Sequence, residues 1–131
     1  MIVDSSALLA VVLNEPDLDR YLDAMLAADR RRMSAANWFE AAMVVESRGD
    51  PTGRARFDEF VRLADIELVP VSIGQAQAAR EAWRVFGRGR HDARLNFGDC
   101  FAYALARTEG QPLLFKGRDF TLTDIEPALK G

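Results

Sequence analysis

Four carboxylates stand where the sequence pattern changes from strand to helix or loop: Asp4, Glu40, Asp99 and Asp119. Asp4 follows the apolar pair Ile2-Val3 and precedes Ser5-Ser6-Ala7-Leu8. Glu40 falls within two turns of a helix that begins after Met33-Ser34, among the apolar neighbours Phe39, Ala41, Ala42 and Met43. Asp99 lies three residues after Asn96 in the first turn of another helix, and Asp119 lies just past Leu113-Leu114-Phe115. Acids gathered in one place repel one another and raise each other's pKa, a penalty that a divalent cation removes. Hard oxygen donors with one histidine (His91) and no cysteine cluster suit Mg²⁺ or Mn²⁺ and not structural zinc. Held by a few carboxylates, such an ion polarises phosphoryl oxygens, acidifies a water and stabilises a leaving oxyanion.

Each acid also has a local explanation. Asp4 can cap the first helix, Asn96-x-x-Asp99 is compatible with a helix capping pair, and any first-turn acid gains from the helix dipole. Glu40 can be a surface residue and Asp119 can stabilise a turn. Only together do the four acids make a site, on parallel strands that would bring them all to the carboxyl edge of one sheet.

The elements that must do this are legible as short apolar strands alternating with amphipathic helices, the pattern of a parallel sheet covered on both faces. Ile2-Val3 reads as a buried strand, followed by a helix capped by Ser5 or Ser6 with Leu8, Leu9, Val12 and Leu13 at helical spacing. Pro16-Asp17 opens a second helix that Arg30-Arg31-Arg32 ends, and Met33-Ser34 is a very short strand. A helix over 34–48 has Phe39, Ala42, Met43 and Val44 as candidate core, and Gly49-Asp50-Pro51-Thr52-Gly53 breaks the pattern. A fourth helix carries Phe57, Phe60, Val61 and Leu63, and residues 66–71 form a strand. Ser72 caps a helix to about Phe86, another runs from near Phe97 to Gly110, and Leu113-Leu114-Phe115 is a buried strand.

With 131 residues and no repeat, linker or low-complexity tract, residues 1–131 are expected to form one domain. A 49 % hydrophobic, 28 % charged composition belongs to globular proteins, and no apolar run approaches the roughly 20 residues of a membrane span. The lone Cys100 excludes an internal disulfide, and with no basic-then-apolar leader before the first strand the expected location is cytoplasmic. A net charge of −3 argues against a surface that coats nucleic acid generally. The local balance differs, because Arg84, Arg88, Arg90, His91 and Arg94 crowd into one segment that is either a phosphate-binding patch or a solvated loop.

Taken together, four blocks resemble the PIN-domain ribonucleases of the VapC toxin type: Ile2-Val3-Asp4-Ser5-Ser6-Ala7-Leu8, Ser34 through Glu40, residues 95–106 around Asn96-Phe97-Gly98-Asp99, and Pro112 through Phe120. The resemblance spans the chain with all four blocks in order. It implies an α/β/α sandwich around a short parallel sheet, an acidic pocket for Mg²⁺ or Mn²⁺, and endonucleolytic cleavage of RNA by metal-activated water. It also implies inhibition by a VapB-type antitoxin and a homodimer. Asp4, Glu40 and Asp99 match the acids of the family motif, with Asp4 and Asp99 as principal metal ligands and Glu40 acting on the metal or the attacking water. Ser6 matches the small hydroxyl residue that supports Asp4. Many members carry an Asp where Gly117 stands, so either Asp119 fills the fourth acidic role from two residues further on or a three-acid site suffices. The resemblance gives Arg88, Arg90, His91, Arg94, Lys116 and Arg118 a role as a positive rim for RNA phosphates. Trp38, Trp83 and Phe97 are read as core or interface.

Three other readings are available. A PIN-like scaffold without activity is compatible with the Gly117 departure. A receiver-type signalling module would place an acid at the end of a middle strand, where Val69-Pro70-Val71 stands instead. A phosphohydrolase of the haloacid-dehalogenase kind would place a second acid at the position of Ser6.

Overall fold

Strand pairing begins with the first apolar side chains. The computed structural model describes residues 1–130; Gly131, the last residue of the expected domain, lies outside them. β1 (Ile2–Val3) pairs in parallel with β2 (Arg31–Ser34) on one side and with β4 (Leu113–Leu114) on the other. β2 pairs in parallel with β3 (Ile66–Val69), which gives the order β3-β2-β1-β4. Successive side chains leave a strand on opposite faces. Val3, Met33 and Leu114 accordingly join one core with Leu8, Met25 and Phe57, while Ile2 and Leu113 join the other with Leu95, Leu105 and Phe120.

The first core is covered by α1 (Ser5–Val12), α2 (Leu18–Ala27), α3 (Ala35–Ser47) and α4 (Pro51–Leu63). The second is covered by α5 (Ile73–Phe86) and α6 (Phe97–Glu109). This is the expected α/β/α sandwich. Parallel strands need crossovers longer than a tight turn, so every return passes through helix and every strand ends at the same edge. The chain reaches β2 on one side of β1 and β4 on the other, and this reversal is where open α/β sheets build their sites.

Several boundaries differ from the sequence expectation. Asp4, not Ser5 or Ser6, is the N-cap of α1, because its carboxylate reaches the Ser6 N–H at 3.0 Å. Arg31 and Arg32 belong to β2 and do not close α2. The Arg31 guanidinium serves the carbonyls of Met25 (2.6 Å), Ala28 (2.8 Å) and Ala64 (2.6 Å), gathering the ends of α2 and α4 onto the strand. The break before α4 is shorter than expected: Asp50 caps, and Pro51, Thr52 and Gly53 are helical. β3 stops at Val69 and β4 at Leu114.

The core stripe of α3 is Asn37, Ala41 and Val45, whereas Phe39 and Met43, expected inside, are 59 % and 54 % exposed. Phe97 is likewise exposed and not core. The tail lies beside β4, with Leu113 N–H donating to Glu126 O and Ala128 N–H donating to Leu113 O. Among the described residues no helix is long and apolar enough to cross a membrane.

Candidate active site

Asp4 sits at the carboxyl end of β1, 3 % exposed, where the strand turns into α1. Its Oδ2 accepts from the Ser6 N–H at 3.0 Å and the Ser6 hydroxyl at 2.6 Å. That hydroxyl in turn accepts the Lys116 N–H at 2.9 Å, fastening the first turn of α1 to the chain after β4. Oδ1 is buried and has no hydrogen-bond partner. Burial pushes Asp4 up to about 6; the Ser6 hydrogen bonds oppose the rise and the Glu40 charge adds to it.

Glu40 reaches the same region from the second turn of α3. Its Oε1 accepts from the Ser5 hydroxyl at 2.6 Å, and the Asn37 amide lies at 3.4 Å. The carboxylate rests against the bare Cα of Gly98, where an added Cβ would come within 2.0 Å of Oε2. The same Asn37 amide donates to the Gly98 carbonyl at 2.9 Å. Ser5, Asn37 and Gly98 are parts of the site that the sequence reading did not single out. Only the proximity of Gly98 to Asp99 and of Asn37 to Glu40 marks them in the sequence.

Asp99 does two jobs. Its Oδ2 accepts from the Asn96 N–H at 3.1 Å while Asn96 Oδ1 accepts from the Asp99 N–H at 2.9 Å, a complete capping box at the start of α6. Partial burial pushes Asp99 up to about 7, with the Asn96 hydrogen bond opposing and the charges of Asp4, Asp119 and Glu40 raising it further. The capping box expected at Asn96-x-x-Asp99 is present, and the same carboxylate faces the charges of Asp4, Asp119 and Glu40. Asp119 is exposed and opens the 3₁₀ turn Asp119–Leu122. Gly117 has φ +110°, in the left-handed region that favours glycine, and the acid that Asp99 feels from this loop is Asp119.

These groups fit a hard divalent cation. A buried carboxylate oxygen without a donor is an acceptor still to be satisfied, and burial, with neighbouring acids adding to it, pushes both Asp4 and Asp99 toward neutrality. Among the described residues no three acid, histidine or cysteine side chains are drawn together into a ready-made ion cage.

The expected positive rim divides. Arg88, Arg90, Arg94 and Arg118 are exposed. Arg90 stacks over Trp83 at 4.5 Å and, with His91 and Arg94, lines a shallow concavity of about 410 Å³. His91 is committed locally: Nδ1 accepts from the Ala93 N–H at 3.0 Å and the ring meets Phe86 edge-on. Lys116 points elsewhere, its ammonium bridging Glu15 (2.9 Å) and Asp17 (3.0 Å). Trp38 packs on Phe57 as expected of a core residue, and Trp83 is half-exposed beneath Arg90.

Comparison with known proteins agrees with this architecture. A sequence model of the PIN domain family matches residues 1–126. Ribonuclease VapC30 of Mycobacterium tuberculosis is 51 % identical over 126 residues, covering 95 % of each chain. Ribonuclease VapC of Mycolicibacterium smegmatis is 50 % identical over 126 residues, covering 95 % of this chain and 97 % of the relative. Among solved structures, Mycobacterium tuberculosis VapC20, described as a Sarcin-Ricin loop cleaving toxin, superposes with a TM-score of 0.75 at 19 % identity over 95 % of both chains. A toxin-antitoxin complex from Klebsiella pneumoniae superposes with a TM-score of 0.71 at 14 % identity, covering 94 % of this chain and 92 % of that one. With its parallel sheet, its acids at the reversal of strand order and half its residues shared with ribonucleases of the VapC type, the chain belongs to the PIN domain family.

Proposed function

We propose that this chain is the ribonuclease toxin of a toxin–antitoxin pair and hydrolyses RNA phosphodiester bonds at the pocket of Asp4, Glu40, Asp99 and Asp119. The observation that carries the reading is the buried Asp4 Oδ1, which has no donor of its own, close to Asp99, with burial first and neighbouring acidic charge second pushing both carboxyls up. The relatives' common naming as VapC ribonucleases supports the reaction class.

Asp4 and Asp99 would hold Mg²⁺ or Mn²⁺, with Glu40 adjoining. When bound, the cation supplies positive charge for phosphoryl oxygens and acidifies a water. The protein's own contribution is placement. Ser6 keeps Asp4 ionised and oriented, the capping box fixes Asp99 on α6, and Ser5 holds one oxygen of Glu40. Glu40, anchored through Oε1, has Oε2 to orient or take a proton from the attacking water. Arg88, Arg90, Arg94 and Arg118 supply exposed charge for the RNA backbone, with Arg90 held over Trp83.

The functional partner is a VapB-type antitoxin, in keeping with the toxin-antitoxin complex among the structural neighbours. A homodimer would cover Phe39 and Met43, which lie one turn apart on the outer side of α3. A cytoplasmic location suits the single buried Cys100.

The test is incubation of purified, partner-free protein with total cellular RNA in Mg²⁺ or Mn²⁺, in EDTA, and with an Asp4→Asn control. Discrete metal-dependent fragments absent from both controls support the reading. Intact RNA with either metal favours the inactive scaffold.

A further inference from the structure

Among the described residues four polar side chains are buried: Asp4, Ser5, Ser34 and Asn37. Three have evident duties. Asp4 belongs to the pocket, Ser5 donates to Glu40, and Ser34 caps α3. Asn37 is the most deeply buried, at 0 % exposure, and its amide is only partly satisfied. Leucine, branched at the same position but apolar, would occupy the site without bringing a polar group out of water.

What the amide does is specific. The Gly98 carbonyl can only accept, so the nitrogen of the Asn37 side chain must face it, as it does at 2.9 Å. The same nitrogen reaches toward Glu40 Oε1 at 3.4 Å, from three residues earlier on one face of α3. The oxygen, Oδ1, is buried with no partner. A half-satisfied amide in a core is unfavourable, and proteins tolerate such groups mainly where function needs them. The donor here is spent at the junction where the Glu40 carboxylate touches the backbone next to Asp99.

We propose that Asn37 is a positioning residue: its amide ties α3 to the Gly98 carbonyl in the first turn of α6 and so sets the Glu40 carboxylate beside Asp99. Gly98 is the other half of the device, since only a residue without Cβ admits the Glu40 carboxylate at that distance. Ser5 supports the same carboxylate from α1, so three helices meet on it. The proposal rests on the metal-dependent nuclease reading, because it assigns Asn37 a role only through Glu40.

The test compares wild type, Asn37→Leu and Gly98→Ala, each also in a Glu40→Gln background. Metal-free thermal unfolding, Mn²⁺ affinity by calorimetry, and kcat and KM on one RNA are measured for all. Asn37→Leu is expected to unfold at or above the wild-type temperature yet bind Mn²⁺ about tenfold more weakly, with kcat lowered about tenfold and KM unchanged. In the Glu40→Gln background it is expected to add nothing further. Gly98→Ala reproduces the pattern from the other side and decides the question if Asn37→Leu does not fold.

Wild-type Mn²⁺ affinity and kcat in Asn37→Leu, or losses that multiply with those of Glu40→Gln, overturn the proposal. So do losses that merely follow a lowered unfolding temperature. If the wild type binds Mn²⁺ but cleaves no RNA, the nuclease reading alone falls and the Mn²⁺ affinities still decide for or against Asn37. If the wild type binds no Mn²⁺, both fall.

Discussion

The Ser6 hydroxyl donates to Asp4 Oδ2 at 2.6 Å, beside a second hydrogen bond to the same oxygen from the Ser6 N–H. Both favour the ionised carboxylate and oppose the burial that pushes Asp4 up to about 6. In Ser6→Ala the hydroxyl is lost and the Lys116 N–H loses its acceptor. The pH–rate profile is expected to shift upward by about one pH unit. Cleavage at pH 7 should fall about twofold, more at pH 6, and recover at pH 9. An unshifted profile would show that Asp4 ionisation does not limit the reaction.

Asp4→Asn and Asp99→Asn should each lower cleavage at least about a hundredfold while the metal-free protein unfolds at an equal or higher temperature, because a buried or crowded charge is removed. Asparagine is the informative replacement at 99. Alanine there would also break the capping box with Asn96 and mix a helix defect into the result. Calorimetric unfolding alongside an RNA cleavage assay separates the two effects.

The metal-free protein is expected to lose stability as the pH rises from about 4 to about 7. Asp4 and Asp99 have folded-state pKa values raised to about 6 and about 7, so across this window the folded chain holds more protons than the unfolded one. Raising the pH removes those protons against the folded state, at a cost on the order of 2 kcal/mol for the buried Asp4. Asp17, Glu67 and Glu81 act in the opposite sense, below pH 5, because their cationic partners hold them low. Mg²⁺ should restore stability at pH 8 and have little effect at pH 5, which unfolding scans at both pH values will show.

Arg90→Ala should weaken RNA binding and flatten its dependence on salt by about one phosphate contact. Lys116→Met should leave that slope unchanged, since its ammonium is engaged by Glu15 and Asp17. Filter-binding titrations at several salt concentrations make the comparison. An equal effect of both substitutions would return Lys116 to the RNA rim.

If the exposed stripe of α3 closes a homodimer, Met43→Glu should yield a monomer by light scattering while the chain stays folded. A dimer that survives the substitution places the contact elsewhere.

Much of the architecture is a local property of the sequence. Ile2-Val3 and Leu113-Leu114 are apolar on both sides because both faces of their strands are buried, and Ser72, Asn96 and Gly110 mark helix ends by their own capping chemistry. The four acids are also legible, since Asp4 and Asp119 follow strands, Asp99 lies in the first turn of a helix and Glu40 in the second. Local pattern cannot tell which neighbour an element will meet. Phe39 and Met43 look like core, but the side of α3 that faces the sheet is the one bearing Asn37, Ala41 and Val45. Lys116 looks like a free cation until the α1–α2 connection brings Glu15 and Asp17 to it across about a hundred residues of sequence. The roles of Asn37 and Gly98 arise only when α3 packs on α6, because a hydrogen bond across 61 positions and a missing Cβ against a carboxylate have no counterpart in spacing or composition. Sequence alone determined the kind and order of the strands and helices and the positions of the acids; tertiary packing decided several element ends, which carboxylates are buried, which donors hold them and how far their pKa values rise, since these depend on distances between segments remote in the chain.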